Sequence, residues 1–337
     1  MNKRRITAEI TAIGGYVPED RLTNEDLEKL VETSDKWITE RTGIKERRIL
    51  RDPLLATSDM AAFAVKKLLE DSRLPAEEVD CLILATSTPD QLLAPAASLV
   101  CEKAGLNNAW GFDLNAACSG FLYALSMGAS LIESERYKKV IVIGADQMSA
   151  IVNYSDRNTC ILFGDGAGAV LLEPSTAGIG VIDNLFKTDG KGVACLSVPA
   201  GGSLEPASTE TLAAGRNYVQ QDGRTVFKAA IKGMSDACLE IMERNNLTNQ
   251  DVDWIIPHQA NLRIINAVGN RLNFPLEKVK VNIQRYGNTT AATIPLCLWD
   301  FQDDFTAGDN ILLTAFGAGF TWGSTYLKWG TLRHHNL

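Results

Sequence analysis

One pattern occurs twice in this chain. Ala76-Glu77-Glu78-Val79-Asp80-Cys81-Leu82-Ile83-Leu84 and Asn249-Gln250-Asp251-Val252-Asp253-Trp254-Ile255-Ile256-Pro257 lie 173 residues apart, each an acidic turn that feeds a Val-Asp pair and then a strand. About sixty residues beyond each Val-Asp comes a second apolar strand, Val140–Gly144 in one case and Asn310–Ala315 in the other. Helical periodicity alternates with short β-branched runs, which predicts a helix over 58–70, a strand over 79–86, a strand over 110–114, a helix over 118–134 and a strand over 139–145. That rhythm defines an α/β protein. Two copies of one unit explain the repeat better than chance does, although generic α/β segments also resemble one another. The turn-rich Glu173-Pro174-Ser175-Thr176-Ala177-Gly178 sets the division at 1–176 and 177–337, and 337 residues suit two packed units of roughly 150 each.

Composition removes several classes of function. A hydrophobic fraction of 45% with 22% charged residues excludes disorder, collagen and coiled coil as descriptions of the whole. The net charge of −8 argues against a sequence-independent grip on nucleic acid. Met1-Asn2-Lys3-Arg4-Arg5 has the charge of a signal-peptide start, but Ile6-Thr7-Ala8-Glu9 follows where a long apolar stretch would begin. No run approaches the roughly 20 apolar residues of a membrane span. The seven cysteines are odd in number, scattered and without a C-x-x-C pair, which argues against a disulfide framework or a zinc cluster and for a cytoplasmic protein without a metal.

Three strand ends carry candidate chemistry. The strand Trp110–Leu114 runs through Asn115-Ala116-Ala117 into Cys118-Ser119-Gly120 and an apolar helix, so Cys118 is expected at a helix N-terminus. There the backbone N–H groups and dipole favour a thiolate and lower the thiol pKa; a small buried residue at a tight junction is the structural alternative. Of three histidines, His334 and His335 fall in the terminal tail, leaving His258 between the strand Trp254–Pro257 and a predicted helix, Gln259–Leu272. Asn288, in Tyr286-Gly287-Asn288-Thr289-Thr290, occupies an expected N-cap, a role that could account for it alone. Ligands of open α/β sheets collect at strand carboxyl ends, which makes Cys, His and Asn a candidate constellation.

Asp113-Leu114-Asn115-Ala116-Ala117-Cys118-Ser119-Gly120-Phe121, Pro257-His258-Gln259-Ala260-Asn261, Tyr286-Gly287-Asn288-Thr289 and Phe316-Gly317-Ala318-Gly319-Phe320-Thr321-Trp322-Gly323 together resemble the β-ketoacyl-[acyl carrier protein] synthase III family. Thr33-Ser34-Asp35-Lys36-Trp37-Ile38 with Arg41-Thr42-Gly43-Ile44 resembles its amino-terminal signature, and Asp156-Arg157-Asn158-Thr159 with Phe163-Gly164-Asp165-Gly166-Ala167-Gly168 its central one. The resemblance spans nearly the whole chain. It implies a thiolase-like five-layered αβαβα fold of two duplicated halves, and a decarboxylating Claisen condensation of an acyl-CoA primer with malonyl-[acyl carrier protein]. Cys118 would hold the acyl group as a thioester, and His258 and Asn288 would stabilise the enolate left as carbon dioxide departs. Asn288 discriminates within the superfamily. Thiolases resemble Cys-His-Cys and elongating synthases Cys-His-His, whereas a carboxamide cannot take a proton, which suits the initiating enzyme.

The resemblance also implies an oxyanion hole from the amides of Cys118 and Ala318. Glycine is common at the second position, so alanine serves only if its φ is negative. Trp37 and Arg157 would sandwich the CoA adenine, Arg41 would lie near the phosphates, and Asn261 near the pantetheine; acyl-CoA is then a substrate, and no cofactor is implied. Most of Arg41, Lys45, Arg47, Arg48 and Arg51 read as a solvated face. Lys228, Arg263 and Arg271 match a basic docking patch for acidic carrier protein. Leu93 from a partner subunit would close the primer pocket beside Phe163 and Phe316, which implies a homodimer, and the displacement of Pro95 by one position leaves the primer open. Gly164–Ala169 lacks G-x-G-x-x-G spacing and precedes an expected strand over 169–172, so tight turn packing is preferred to phosphate binding. A papain-like hydrolase shares the Cys, His, Asn order but lacks its signature around the cysteine. A secondary-metabolic condensing enzyme with other donors or extenders, and a non-catalytic paralogue, are the remaining alternatives.

Overall fold

The computed structural model describes residues 6–333; Met1–Arg5, His334 and His335 lie outside them. We number its principal strands β1 (Thr7–Tyr16), β2 (Cys81–Ala85), β3 (Trp110–Leu114), β4 (Val140–Gln147), β5 (Asp165–Ser175), β6 (Gly180–Thr188), β7 (Trp254–Pro257), β8 (Asn310–Gly317) and β9 (Thr321–Lys328). The principal helices are α1 (Thr57–Ser72), α2 (Ala96–Ala104), α3 (Gly120–Glu133), α4 (Gly223–Arg244), α5 (Leu262–Arg271) and α6 (Thr293–Asp300).

The strands form a nine-stranded sheet in the order β7-β8-β9-β6-β1-β5-β4-β2-β3. Its two parts meet through a single residue pair, Ala8 with Val181. Outward from that seam, β1-β5-β4-β2-β3 pairs antiparallel, antiparallel, parallel, parallel. On the other side β6-β9-β8-β7 repeats the first three relationships, and an isolated parallel bridge from Ile255 to Val279 supplies the fourth. The duplication in the sequence is therefore a duplication of topology.

Alternation of side chains sorts the layers. In the first half, Leu82, Leu84, Ile141 and Ile143 pack with α1 and α2, while Ile83, Val140 and Val142 face a core shared with α3 and α6. In the second half, Leu312 and Ile255 face α4 and α5, while Ile311, Leu313 and Ile256 join the same central core. The succession is helix, sheet, helix, sheet, helix. Burial on both faces explains why β2 reads as an unbroken apolar run.

The repeated Val-Asp has a plain physical purpose. Asp80 Oδ2 accepts the amides of Lys138 and Lys139 at 2.7 and 2.9 Å, and Asp253 Oδ2 accepts that of Asn310 at 2.9 Å. Each carboxylate thus ties the start of one parallel strand to its neighbour, while the preceding valine is buried. Asp253→Ala should lower stability by about 1–3 kcal/mol, the cost of leaving a part-buried amide without its acceptor, whereas Asp253→Asn retains an oxygen and should lose less. Thermal unfolding of the two variants measures the difference.

Three expectations about elements need correction. Glu173, Pro174 and Ser175 belong to β5, so the break is only Thr176–Ile179. Asp165–Ala169 is itself strand, and its glycines serve close approach of a helix: a Cβ on Gly168 would lie 2.8 Å from Leu296 N, and one on Gly166 3.0 Å from Leu296 Cδ1. Finally, the helix expected over Gln259–Leu272 begins at Leu262, because Asn261 is the N-cap and accepts from Arg263 N.

The repeat extends to fine detail. Asn115 Oδ1 accepts from Ala117 N at 3.1 Å, and Asn288 Oδ1 from Thr290 N at 2.9 Å. Ala117 and Thr290 both take positive φ, 48° and 53°. Short 3-10 turns follow, Ala117–Ser119 ahead of α3 and Thr290–Ala292 ahead of α6. At the spacing of 173, Cys118 corresponds to Ala291.

Candidate active site

A cavity of about 650 Å³ opens between the halves, and Cys118, His258 and Asn288 all line it. Each is buried in the remainder of its surface. Cys118 stands on the turn between β3 and α3, behind the strained Ala117. His258 follows β7, and its amide donates to Thr314 O at 2.8 Å. Its Nδ1 lies 2.7 Å from Thr293 Oγ1, a hydroxyl that can also donate to Thr290 O at 3.1 Å, so Nδ1 is engaged.

Asn288 does not end a principal strand, contrary to expectation. It follows the helical turn Ile283–Tyr286 and forms one parallel bridge with Phe163, donating its amide to Leu162 O and accepting from Gly164 N. Gly287, at φ 66°, permits this approach, for a Cβ there would meet Leu162 O at 2.7 Å. Nor does Asn288 cap a helix directly; its Oδ1 takes the Thr290 amide, so the Nδ2 hydrogens remain for a ligand.

Contrary to the expectation from its place at a helix start, the thiol is not acidic. Burial pushes Cys118 up to about 12, the nearby Asp146 carboxyl adds to the rise, and only its own amide opposes them. Position at a helix start lowers a thiol pKa where water or a cation also reaches it, and here desolvation wins. Burial likewise holds His258 down at about 3. The resting pair is a neutral thiol and a neutral imidazole.

Ala318 does not have a positive φ, so its side chain costs the turn nothing. Thr321 Oγ1 lies 3.0 Å from Ala318 O and 2.9 Å from Ala116 O, and Ser119 Oγ donates to Thr321 O, which laces the β8–β9 turn onto the Cys118 turn. Gly317 is the contact point, because a Cβ there would come within 2.8 Å of Cys118 N.

Trp37, Arg41 and Asn261 line the cavity, and Arg157 stacks 5.1 Å from the Trp37 ring centre, with Arg41 at 4.7 Å. A flat base between Trp37 and Arg157 needs roughly 7 Å, two van der Waals separations, so Arg157 must swing aside from Glu32 O, to which it donates. Lys228 and Arg263 also line the cavity, the latter over Phe227. Arg271 does not; it pairs with Asp236 at 2.6 Å. Phe163 and Phe316 line the inner wall. Leu93 stands apart, 96% exposed on the loop before α2.

Sequence reasoning missed three residues. Arg47 is no part of a solvated face: it is wholly buried, donating to Leu22 O, Asn24 Oδ1 and Ile161 O beside the Asn288 segment. Thr293 left no signal. Asp146 did leave one, a lone carboxylate closing the apolar run Val140–Ala145. Among the described residues no group of His, Cys, Asp and Glu is arranged to hold a metal, and no helix is long and apolar enough to cross a membrane.

A five-layered duplicated fold with thiol, imidazole and carboxamide at one cavity defines a thiolase-fold acyltransferase. Comparison with known proteins narrows the class. Residues 112–190 match the 3-oxoacyl-[acyl-carrier-protein] synthase III model and residues 242–329 its C-terminal model. The chain is 52% identical to β-ketoacyl-[acyl-carrier-protein] synthase III 1 of Bacteroides thetaiotaomicron over 97% of both chains, and 53% identical to the synthase III of Phocaeicola vulgatus over 97% of this chain and 98% of that one. The crystal structure of 3-oxoacyl-[acyl-carrier-protein] synthase III from Aquifex aeolicus superposes with a TM-score of 0.88 at 42% identity, covering 96% of this chain and 100% of that one. The chain belongs to the β-ketoacyl-[acyl-carrier-protein] synthase III family, the condensing enzymes that initiate fatty acid synthesis.

Proposed function

We propose that this enzyme condenses an acyl-CoA primer with malonyl-[acyl carrier protein], and that Cys118, His258 and Asn288 carry the reaction. The observation behind this reading is the convergence of those three side chains on one cavity whose wall also includes Trp37, Arg41 and Asn261. Because the resting thiol is protonated, loading is coupled to proton transfer: the Cys118 proton passes to neutral His258 as sulfur attacks the thioester, and on to the departing CoA sulfur. The amides of Cys118 and Ala318 receive the oxyanion. In the second half-reaction the malonyl carbon–carboxylate bond breaks, and the enolate oxygen accepts from the Asn288 Nδ2 group and from Nε2–H of His258, in the tautomer whose Nδ1 accepts from Thr293 Oγ1. The enolate carbon then bonds to the acyl carbon, and the Cys118 sulfur leaves as a thiolate that takes a proton from solvent, which balances the carboxylate charge lost with carbon dioxide.

Lys228, Arg263 and Arg271 serve carrier-protein docking in this reading, with Arg263 at the cavity wall the principal contact. A homodimer of a cytoplasmic enzyme completes it. The edge strand β3 is half-exposed, with Trp110 44% accessible, and Leu93 is almost bare, which supports a neighbouring copy there closing the primer pocket. Intact-protein mass spectrometry after mixing with a panel of acyl-CoAs tests the proposal. Wild type should gain one acyl group, Cys118→Ala none, and the preferred donor identifies the primer. No labelling by any donor, or equal labelling of the variant, would overturn it.

A further inference from the structure

We infer that Asp146 is a positioning residue that plugs an oxyanion-type site in the second half and thereby fixes the turn presenting Asn288. Its role in catalysis rests on the function proposed above; its geometry does not. Asp146 is fully buried and not part of the cavity wall. Its Oδ2 accepts the Ala291 amide at 3.0 Å. Its Oδ1 takes the amides of Ser87 and Thr88 at 2.7 and 3.2 Å, and the hydroxyls of Thr86 and Thr88 at 3.2 and 3.1 Å. Among the described residues no cation faces it.

The repeat explains why a carboxylate stands there. Ala291 corresponds to Cys118. Cys81 pairs with Val140 as Trp254 pairs with Ile311, so counting six residues along each strand equates Asp146 with Gly317. At the first turn Gly317 adds nothing beyond its backbone and leaves the Cys118 amide open to a substrate oxygen. At the second turn the same place carries a carboxylate that accepts the equivalent amide. One turn receives its anion from substrate, and the other has it built in. The built-in anion joins β4 and the 86–88 segment in the first half to Thr290–Ala292 in the second, directly after Asn288.

An amide cannot substitute for this carboxylate. With four donors on Oδ1, an asparagine keeps its oxygen there and turns its NH₂ toward the Ala291 N–H, donor against donor. Asp146→Asn should therefore release the Asn288 turn while removing a negative charge that now disfavours the Cys118 thiolate. The two effects have opposite signs. Malonyl thioester decarboxylation should fall by about 100-fold, the scale of a misplaced group, whereas acyl loading persists. The midpoint of Cys118 alkylation by iodoacetamide should move down, since a charge that disfavours the thiolate is gone.

A purely structural role would not produce that split. Unchanged decarboxylation, loading and decarboxylation lost in equal measure, or an alkylation midpoint that stays or rises would each overturn the inference. Should Asp146→Asn not fold, Asp146→Ser, smaller and uncharged, is measured for the same split. If wild type itself takes no acyl group, the proposed function fails, and hydrogen exchange at the Ala291 amide, which needs no acyl donor and should accelerate in Asp146→Asn, decides the role of Asp146.

Discussion

Asn288→Ala should still load an acyl group onto Cys118 and yet lose condensation by about 10²–10³-fold, the usual cost of one donor to a developing oxyanion. The carboxamide has no part in thiol attack, so the loaded mass should appear at close to the wild-type rate while carbon dioxide release from the malonyl thioester collapses. His258→Ala should differ in kind. The neutral imidazole both receives the thiol proton and steadies the enolate, so loading and condensation fall together. Burial holds His258 neutral well below its ordinary range, and the loading rate of wild type should accordingly show no inflection near pH 6.5. An Asn288→Ala enzyme that fails to load, or an imidazole-like inflection in loading, would show that the two half-reactions are not divided in this way.

Gly144→Ala, a change of one methyl group outside the catalytic set, should have a comparably large effect. A Cβ at Gly144 would sit 2.2 Å from Ala291 O and 2.7 Å from Ala291 C, both backbone atoms of the turn that follows Asn288. Backbone can yield only by moving the turn. The overpacking should cost about 1–3 kcal/mol, and displacement of Asn288 should lower condensation about 100-fold, again with loading largely retained. Gly190→Ala is the control, since nothing lies within 4 Å of a Cβ there and φ is not positive. Paired melting curves and half-reaction rates would reveal the effect, and a fully active Gly144→Ala enzyme would mean that the turn tolerates the shift.

Much of this was legible in the sequence because it depends on residue type and spacing. The Val-Asp repeat announced two similar halves; the cysteine and the histidine stand at strand ends as expected, whereas Asn288 reaches the same cavity from a turn. What escaped depends on three-dimensional surroundings. Acidity of Cys118 is decided by desolvation, which no local pattern reveals, so helix position alone gave the wrong sign. Arg47 looked like one more cation in a basic run, although its carbonyl partners come from segments as far away as Ile161. Gly164–Ala169 looked like a turn because nothing local shows that α6 presses against that strand. Leu93 stands apart from the cavity of its own chain, so no contact within the chain bears on its expected place at a primer pocket.

The twofold use of one turn also bears on how such a molecule could have arisen. Two identical copies would begin with two equivalent thiol positions, two carboxamides and two open amide sites. In this chain Cys118 survives as a thiol in one copy while Ala291 holds its place in the other, and Asn288 faces the cavity while Asn115 is left exposed. Asp146 then seals the copy without a nucleophile. A duplicated fold thus carries a single asymmetric centre, with the thiol on one copy of the turn and the carboxamide on the other.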